Sequence, residues 1–278
     1  MEWGVRIAHY SPVRSGPVSD PLAVIAGLPG VPEAVEEARE AVDRLYRHRV
    51  LRRRSPEVSA EAALRGARAS AALSGDDVPL DVLRRGEVSS PVVQGALRAS
   101  GELGRLGSTW RSAPRQVLAR LHTLAAVGLA AQEDLGRPRH DSGDFAPDPL
   151  GLGPVPGVEE TATRMAALAA LVGGPSKAPA LVLAAIVHAE LAVLRPFGVA
   201  DGVVARAAER LTLVEYGLDP KSLVPAEVGH LELPYAEGLR SYLSGTAEGV
   251  SVWVRQCAAA VTLGVRETTA VCEAMQRA

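Results

Sequence analysis

The chain has 278 residues, 47 % of them hydrophobic and 22 % charged, with a net charge of −2 at pH 7. That length suits one large domain, or a core domain with an extension, and the apolar share is ample for a core. The charge balance excludes a strongly basic nucleic-acid binder, and two cysteines, Cys257 and Cys272, are too few for a disulfide framework or a zinc site.

Lys177 and Lys221 are the only lysines among 30 basic residues, so the arginine excess reads as the bias of a GC-rich genome and carries no functional weight. The N-terminus has neither a basic n-region nor an apolar h-region. The most apolar stretch, Ala178 to Leu194, is interrupted by His188 and Glu190 and is short for a membrane span. The expectation is a cytoplasmic protein with no membrane or nucleic-acid partner.

Residues 1–31 are rich in Pro, Gly and Ser and read as irregular. In Glu33–Arg49, the positions Val35, Ala38, Val42, Leu45 and Tyr46 follow a 3.6-residue period, which predicts an amphipathic helix. It runs into Arg47, His48, Arg49, Arg52, Arg53 and Arg54. Such a cluster can touch phosphates, but it reads better as a solvated helix end whose cations complement the dipole. A second helix is expected over Pro56–Leu73, stopped by Ser74-Gly75. Pro91–Leu106 and Pro114–Leu135 read as further helices.

Gly136–Gly157 then breaks the pattern with Pro138, Pro147, Pro149, Pro154 and Pro156; so long a structureless stretch inside a compact domain is uncommon and often functional. After it come helical segments at Glu159–Val172, Ala178–Leu194, Gly202–Tyr216, Tyr235–Ser244 and Val250–Met275. Strand-like alternation is scarce. The fold class is therefore all-α, a helical bundle, with a small β-hairpin inside Gly136–Gly157 left open. The organisation reads as an irregular segment over 1–31, an N-terminal helical extension over 32–89 and a helical domain over 90–278.

The segment with chemical content is His188 to Arg206. A hydrophobic helix ends at Arg195-Pro196, a loop containing Gly198 follows, and a new helix opens at Asp201-Gly202. Free N–H groups and the positive end of the helix dipole converge there, a generic cradle for anions.

Here the sequence resembles the Fic family, whose signature is HPFx(D/E)GNGRxxR between two core helices. Arg195 stands at the His position, Pro196 and Phe197 are retained, and Val199 stands at the acidic position. Ala200, Asp201 and Gly202 replace Gly-Asn-Gly, Val203 replaces the first arginine, and Arg206 keeps the second. His188, seven residues upstream, also matches, as do Trp253 near the start of a long helix and Gly136-Arg137-Pro138-Arg139 ahead of the flap. The resemblance covers about residues 90–275 and implies a Fic-type helical bundle.

The same resemblance implies a relation to enzymes that move AMP from ATP to protein hydroxyls. In that chemistry a His takes the hydroxyl proton, an acidic residue holds magnesium, and glycines and arginines receive the phosphates. Arg195 is no base, because a guanidinium keeps its proton at any working pH. Val199 offers no metal ligand and Val203 no phosphate contact. Asp201 suits an N-cap, where its carboxylate opposes an incoming phosphate. Ser70 to Gly75 matches the family's inhibitory (S/T)xxxE(G/N) helix, with Ser74 in place of the Glu that pairs with the second arginine.

Each singled-out residue also has a plainer reading. His188 reads as a hydrogen-bonded core histidine. Arg206 either binds an anion, together with Gly198, Asp201 and Gly202, or pairs with Asp201 or Glu209. Glu190 is expected to pair with Arg195. His140, Asp141, Asp144 and Asp148 match no metal-ligand spacing and read as solvated loop residues, so no metal is expected. The leading function is a Fic-fold protein impaired in AMP transfer, acting by binding a protein partner without a cofactor. The alternative is an active non-classical transferase that uses a nucleotide, with magnesium, or another phosphate donor.

Overall fold

The computed structural model describes residues 20–140, 148 and 150–277, and its described residues form helices joined by turns and loops. In chain order they are α1 (Pro21–Ala26), α2 (Val31–Tyr46), α3 (Leu51–Ala72), α4 (Leu80–Arg85), α5 (Pro91–Trp110), α6 (Pro114–Ala126), α7 (Val158–Gly173), α8 (Ala180–Leu194), α9 (Asp201–Glu215), α10 (Ala226–Glu232), α11 (Tyr235–Leu243) and α12 (Ala247–Arg277). The all-α reading holds. No helix among the described residues is long and apolar enough to cross a membrane.

The centre is α8. Its sequence is apolar all round, and every side chain from Leu181 to Leu194 is buried, as expected of a helix enclosed on all faces. α9 lies along it, and α1, α7, α11 and α12 also pack on it. The 31-residue α12 runs past α2, α8, α10 and α11, and its Trp253 indole donates to the Ala185 carbonyl at 2.8 Å. On the other side of α9, α5 packs against α3 and α6. One hydrophobic core runs from Leu22 to Cys272, through both 32–89 and 90–278.

Several boundaries differ from expectation for local reasons. The described end of the "irregular" 1–31 segment holds α1, with Asp20 capping its start by accepting from Leu22 N–H at 3.1 Å and Pro21 in the first turn, where its missing donor costs nothing. α3 begins at Leu51 but is kinked at Arg54 (φ −122°, ψ 25°), two residues before Pro56, whose ring disfavours a helical residue before it. The helix expected over Pro114–Leu135 stops at Ala126, and Gly128 follows at φ 87°. α4 and α10 were not expected. At Gly229 in α10, a Cβ would lie 2.2 Å from the Ala260 carbonyl oxygen, so only glycine lets α10 approach α12 this closely.

Residues 141–147 and 149 of Gly136–Gly157, with Asp141 and Asp144, lie outside the described residues, and the described parts of that stretch hold no strand. In the Arg47–Arg54 cluster, Arg47, Arg49, Arg52, Arg53 and Arg54 are exposed.

Candidate functional site

The loop between α8 and α9 has an unusual backbone. Arg195 (φ 44°), Gly198 (φ 81°) and Ala200 (φ 57°) all lie in the left-handed region. For the two non-glycine residues this costs about 1–2 kcal/mol each, so the surroundings must hold them there. Two residues ahead of the loop do so. Arg139 is buried; its backbone N–H donates to the Pro196 carbonyl at 2.8 Å. Its guanidinium donates to the Arg195 carbonyl (3.0 Å), to Thr161 Oγ1 (2.7 Å) and to the Pro156 carbonyl. From α6, the His122 ring stacks on Phe197 with centroids 4.2 Å apart and planes 6° from parallel. His122 Nδ1 accepts from Gly136 N–H at 2.9 Å, and burial pushes its pKa down to about 4.

The third tie is Asp201, and it corrects the N-cap expectation. Ala200 takes the N-cap place, and Asp201 is the first residue of α9. Its carboxylate turns back into the loop and accepts from Phe197 N–H at 2.9 Å, beside the Gly198 N–H, which donates to the Arg195 carbonyl at 3.3 Å. Burial raises its pKa to about 7, against the pull of those donors and of Arg139 and Arg195.

Arg195 faces the other way. It donates to the Gly153 carbonyl and lies 3.8 Å from Asp148. The expected Glu190–Arg195 pair does not form: Glu190 takes a two-pronged contact from Arg164 of α7 (2.7 and 3.0 Å) and the Tyr242 hydroxyl (2.6 Å). Val199 is half-buried and offers only carbons. Val203 is buried and lines, with Ser70, Ser100 and Glu227, a cavity of about 10 Å³ between α3, α5 and α9.

Arg206 is wholly buried beside Gly202, where a Cβ would stand 3.1 Å from Nη1. Both pairings left open for it, with Asp201 and with Glu209, are absent. Its guanidinium instead donates to Ser70 Oγ (2.9 Å), Ser70 O (2.7 Å), Ser74 Oγ (2.7 Å) and the Tyr235 hydroxyl (3.3 Å). Ser70 and Ser74 thus meet Arg206 from the end of α3, and Gly75 continues the turn at φ 91°.

No family model matches this chain, and no curated protein matches it. Among solved structures it is similar to a Fic family protein from Desulfovibrio desulfuricans G20, with a TM-score of 0.67 and 18 % identity over 86 % of this chain and 74 % of that one. This chain has the Fic fold. The likeness takes in more of the chain than residues 90–275 alone supply.

Under the loop of this Fic fold lies a second polar region. His188 Nδ1 donates to Glu209 (2.8 Å) and its Nε2 accepts from the Tyr235 hydroxyl (2.8 Å). His230 Nε2 donates to the same carboxylate (2.9 Å). His188, Glu209 and His230 are all buried. Burial pushes His188 down to about 4. Burial alone would raise Glu209, but the two imidazoles outweigh it and hold the carboxyl well below its usual range. His188 is thus the hydrogen-bonded core histidine expected. Its partners on α9, α10 and α11 were not found from the sequence; each is a lone polar residue in a helical segment, without a motif.

Proposed function

We infer that this Fic-fold chain lacks ordinary AMP transfer and works by binding, with a protein as its partner beside the 136–157 segment. The observation that carries the reading is the Asp201 carboxyl, which takes the Phe197 N–H that a phosphate would need, while Gly198 N–H is turned to the Arg195 carbonyl. A side chain seated there blocks an anion by occupying its place, whether or not it carries a proton. The other replacements act in the same direction. Arg195 has no basic lone pair at any working pH, Val199 holds no magnesium, and Val203 is a buried apolar side chain that offers no phosphate contact. Arg206, the remaining cation of the motif, is engaged by Ser70, Ser74 and Tyr235.

One observation favours the alternative, a non-classical transferase: the Asp201 pKa near 7 is suited to acid–base work. ATP and magnesium belong to that reading alone. The experiment is incubation of the protein, with and without cell lysate, with labelled ATP and magnesium, read by autoradiography and intact mass. No transfer is expected from the unmodified chain or from Arg195→His, because restoring a base leaves the metal, anion and phosphate positions unchanged. The combined change Arg195→His, Val199→Asp, Asp201→Asn and Val203→Arg tests whether the pocket itself can be restored. AMP transfer by the unmodified chain overturns the binding reading and promotes the transferase.

A further inference from the structure

We propose that the turn between α2 and α3 is a docking surface for an acidic segment of a partner protein, contacted by Arg47, Arg49, Arg52 and Arg53. In the sequence these cations read as a helix end that complements the dipole. The fold removes that reason for most of them. Arg47 closes α2 and lies at the favourable end. Arg52 and Arg53 stand in the first turn of α3, where the dipole opposes cations and where no acid offsets them. The Arg49 carbonyl accepts from Arg52 N–H one turn on, so like charges are crowded where stability gains nothing from them.

All four residues are exposed. The neighbouring Arg44 and Arg54 have acids of their own, Glu40 at 3.5 Å and Glu57 at 3.9 Å. Among the described residues, Arg47, Arg49, Arg52 and Arg53 have no acid within 4.0 Å. Lys221 extends the patch. It is exposed, and its ammonium stands 5.7 Å from the ring centre of Tyr46, the residue before Arg47.

The charge of the rest of the chain selects the partner. Guanidinium groups meet carboxylates and phosphates alike through paired N–H···O bonds. The chain has 30 basic and 32 acidic residues, and setting these five cations aside leaves 25 against 32, a net charge of −7. A membrane or a long nucleic acid extends past the patch and meets that negative remainder. A short acidic segment stays within the roughly 8 Å over which the patch acts in salt. Residues 47–54 also expose no large hydrophobic side chain that could enter a bilayer. The 22 residues of α3 span about 33 Å and separate the patch from the Ser70 and Ser74 contacts with Arg206. The surface is therefore distinct from the motif loop, and the inference stands whether or not the chain transfers AMP.

The test uses the full chain and a fluorescein-labelled hexaglutamate peptide, read by anisotropy at about 20 and about 150 mM salt. One variant combines Arg49→Ser, Arg52→Ser and Arg53→Ser. A control removes the same charge elsewhere, by Arg105→Ser, Arg115→Ser and Arg120→Ser. Saturable binding that weakens with salt is expected from the wild type and the control, and binding about tenfold weaker from the patch variant. The Tm of the patch variant should equal or exceed that of the wild type, because cations have left a helix start. Equal affinity in the two variants overturns the patch, and a Tm lower by more than about 5 °C in the patch variant makes its arginines part of the fold instead. A short DNA duplex or phosphatidylserine vesicles held more tightly than hexaglutamate at the higher salt overturn the acidic protein as partner. A salt-sensitive dimer in sedimentation does the same in favour of a second copy of this chain.

Discussion

α8 and α9 carry two polar regions that are built in opposite ways. In the loop between them, the backbone has the shape of an anion cradle, but Asp201 fills it and Arg195 turns away to Gly153 and Asp148. In the cluster beneath, Tyr235, His188, Glu209 and His230 bond one another in an unbroken series. The difference lies in what supports each. The loop's left-handed residues are held largely from outside the motif, by Arg139 and by the His122 ring on Phe197. Its shape therefore does not depend on a motif histidine or a motif glycine at position 200, and side chains there can change while the backbone stays. In the cluster the members bond one another directly, with Arg206 on Tyr235 and the Trp253 ring against His188 and His230 around them.

The comparison breaks most readily at Glu209. Glu209→Ala leaves two imidazoles buried without their common acceptor, and removing one member of a buried charged network costs about 3–5 kcal/mol. Chemical denaturation is expected to show that loss, and a change below ~1 kcal/mol would mean that the cluster does not hold the core. Arg139→Ala is expected to rank next. It deletes charge-assisted bonds to the Arg195 and Pro156 carbonyls and to Thr161, each worth about 1.5–3 kcal/mol, though the sites near the flap regain water. A net loss of about 2–4 kcal/mol is expected, with faster amide exchange confined to 194–201. Global exchange without local loosening would assign Arg139 to the core and not to the loop.

The sequence made the central packing legible and left the side-chain partners obscure, for physical reasons. α8 is read directly because an uninterrupted apolar run admits one solution, full enclosure, and it begins and ends within two residues of the expected bounds. α12 and α9 follow from helical period and length. α1 carried a readable signal in Asp20-Pro21, masked by the surrounding Pro, Gly and Ser. α10 gave no period over seven residues, and its Gly229 reads as a breaker although it is a close contact with Ala260. Arg206 had two plausible partners nearby, Asp201 and Glu209, and it bonds instead to Ser70 and Ser74, more than a hundred residues away. Spacing informs on neighbours along a helix, while partners across a bundle are fixed by packing. Asp201 misled for a local reason: Ala200 adopts the left-handed conformation and takes the cap position, which moves the carboxylate one place into the helix and turns it toward the loop.

That turned carboxylate gives the finest test of the contrast, through pH. Folding raises the Asp201 pKa from about 3.9 in an unfolded chain to about 7. Over that window the folded chain keeps a proton that the unfolded chain has released, so stability from this group is full below about pH 4 and falls as pH rises through 7. One pKa unit corresponds to about 1.4 kcal/mol, so the loss is on the order of 4 kcal/mol across the window. Asp201→Asn keeps an oxygen for the Phe197 N–H and cannot ionise. The variant is therefore expected to match or fall slightly below the wild type near pH 4.5, because its amide adds a donor that needs a partner. By pH 8 it should be the more stable of the two. Tm measured against pH for both chains decides the matter. If the Asp201→Asn change lowers the Tm at pH 8 and leaves the pH slope unchanged, Arg139, Arg195 and the loop N–H groups hold Asp201 ionised. The loop would then be a satisfied anion site supplied by its own chain, built on the same principle as the cluster beneath it.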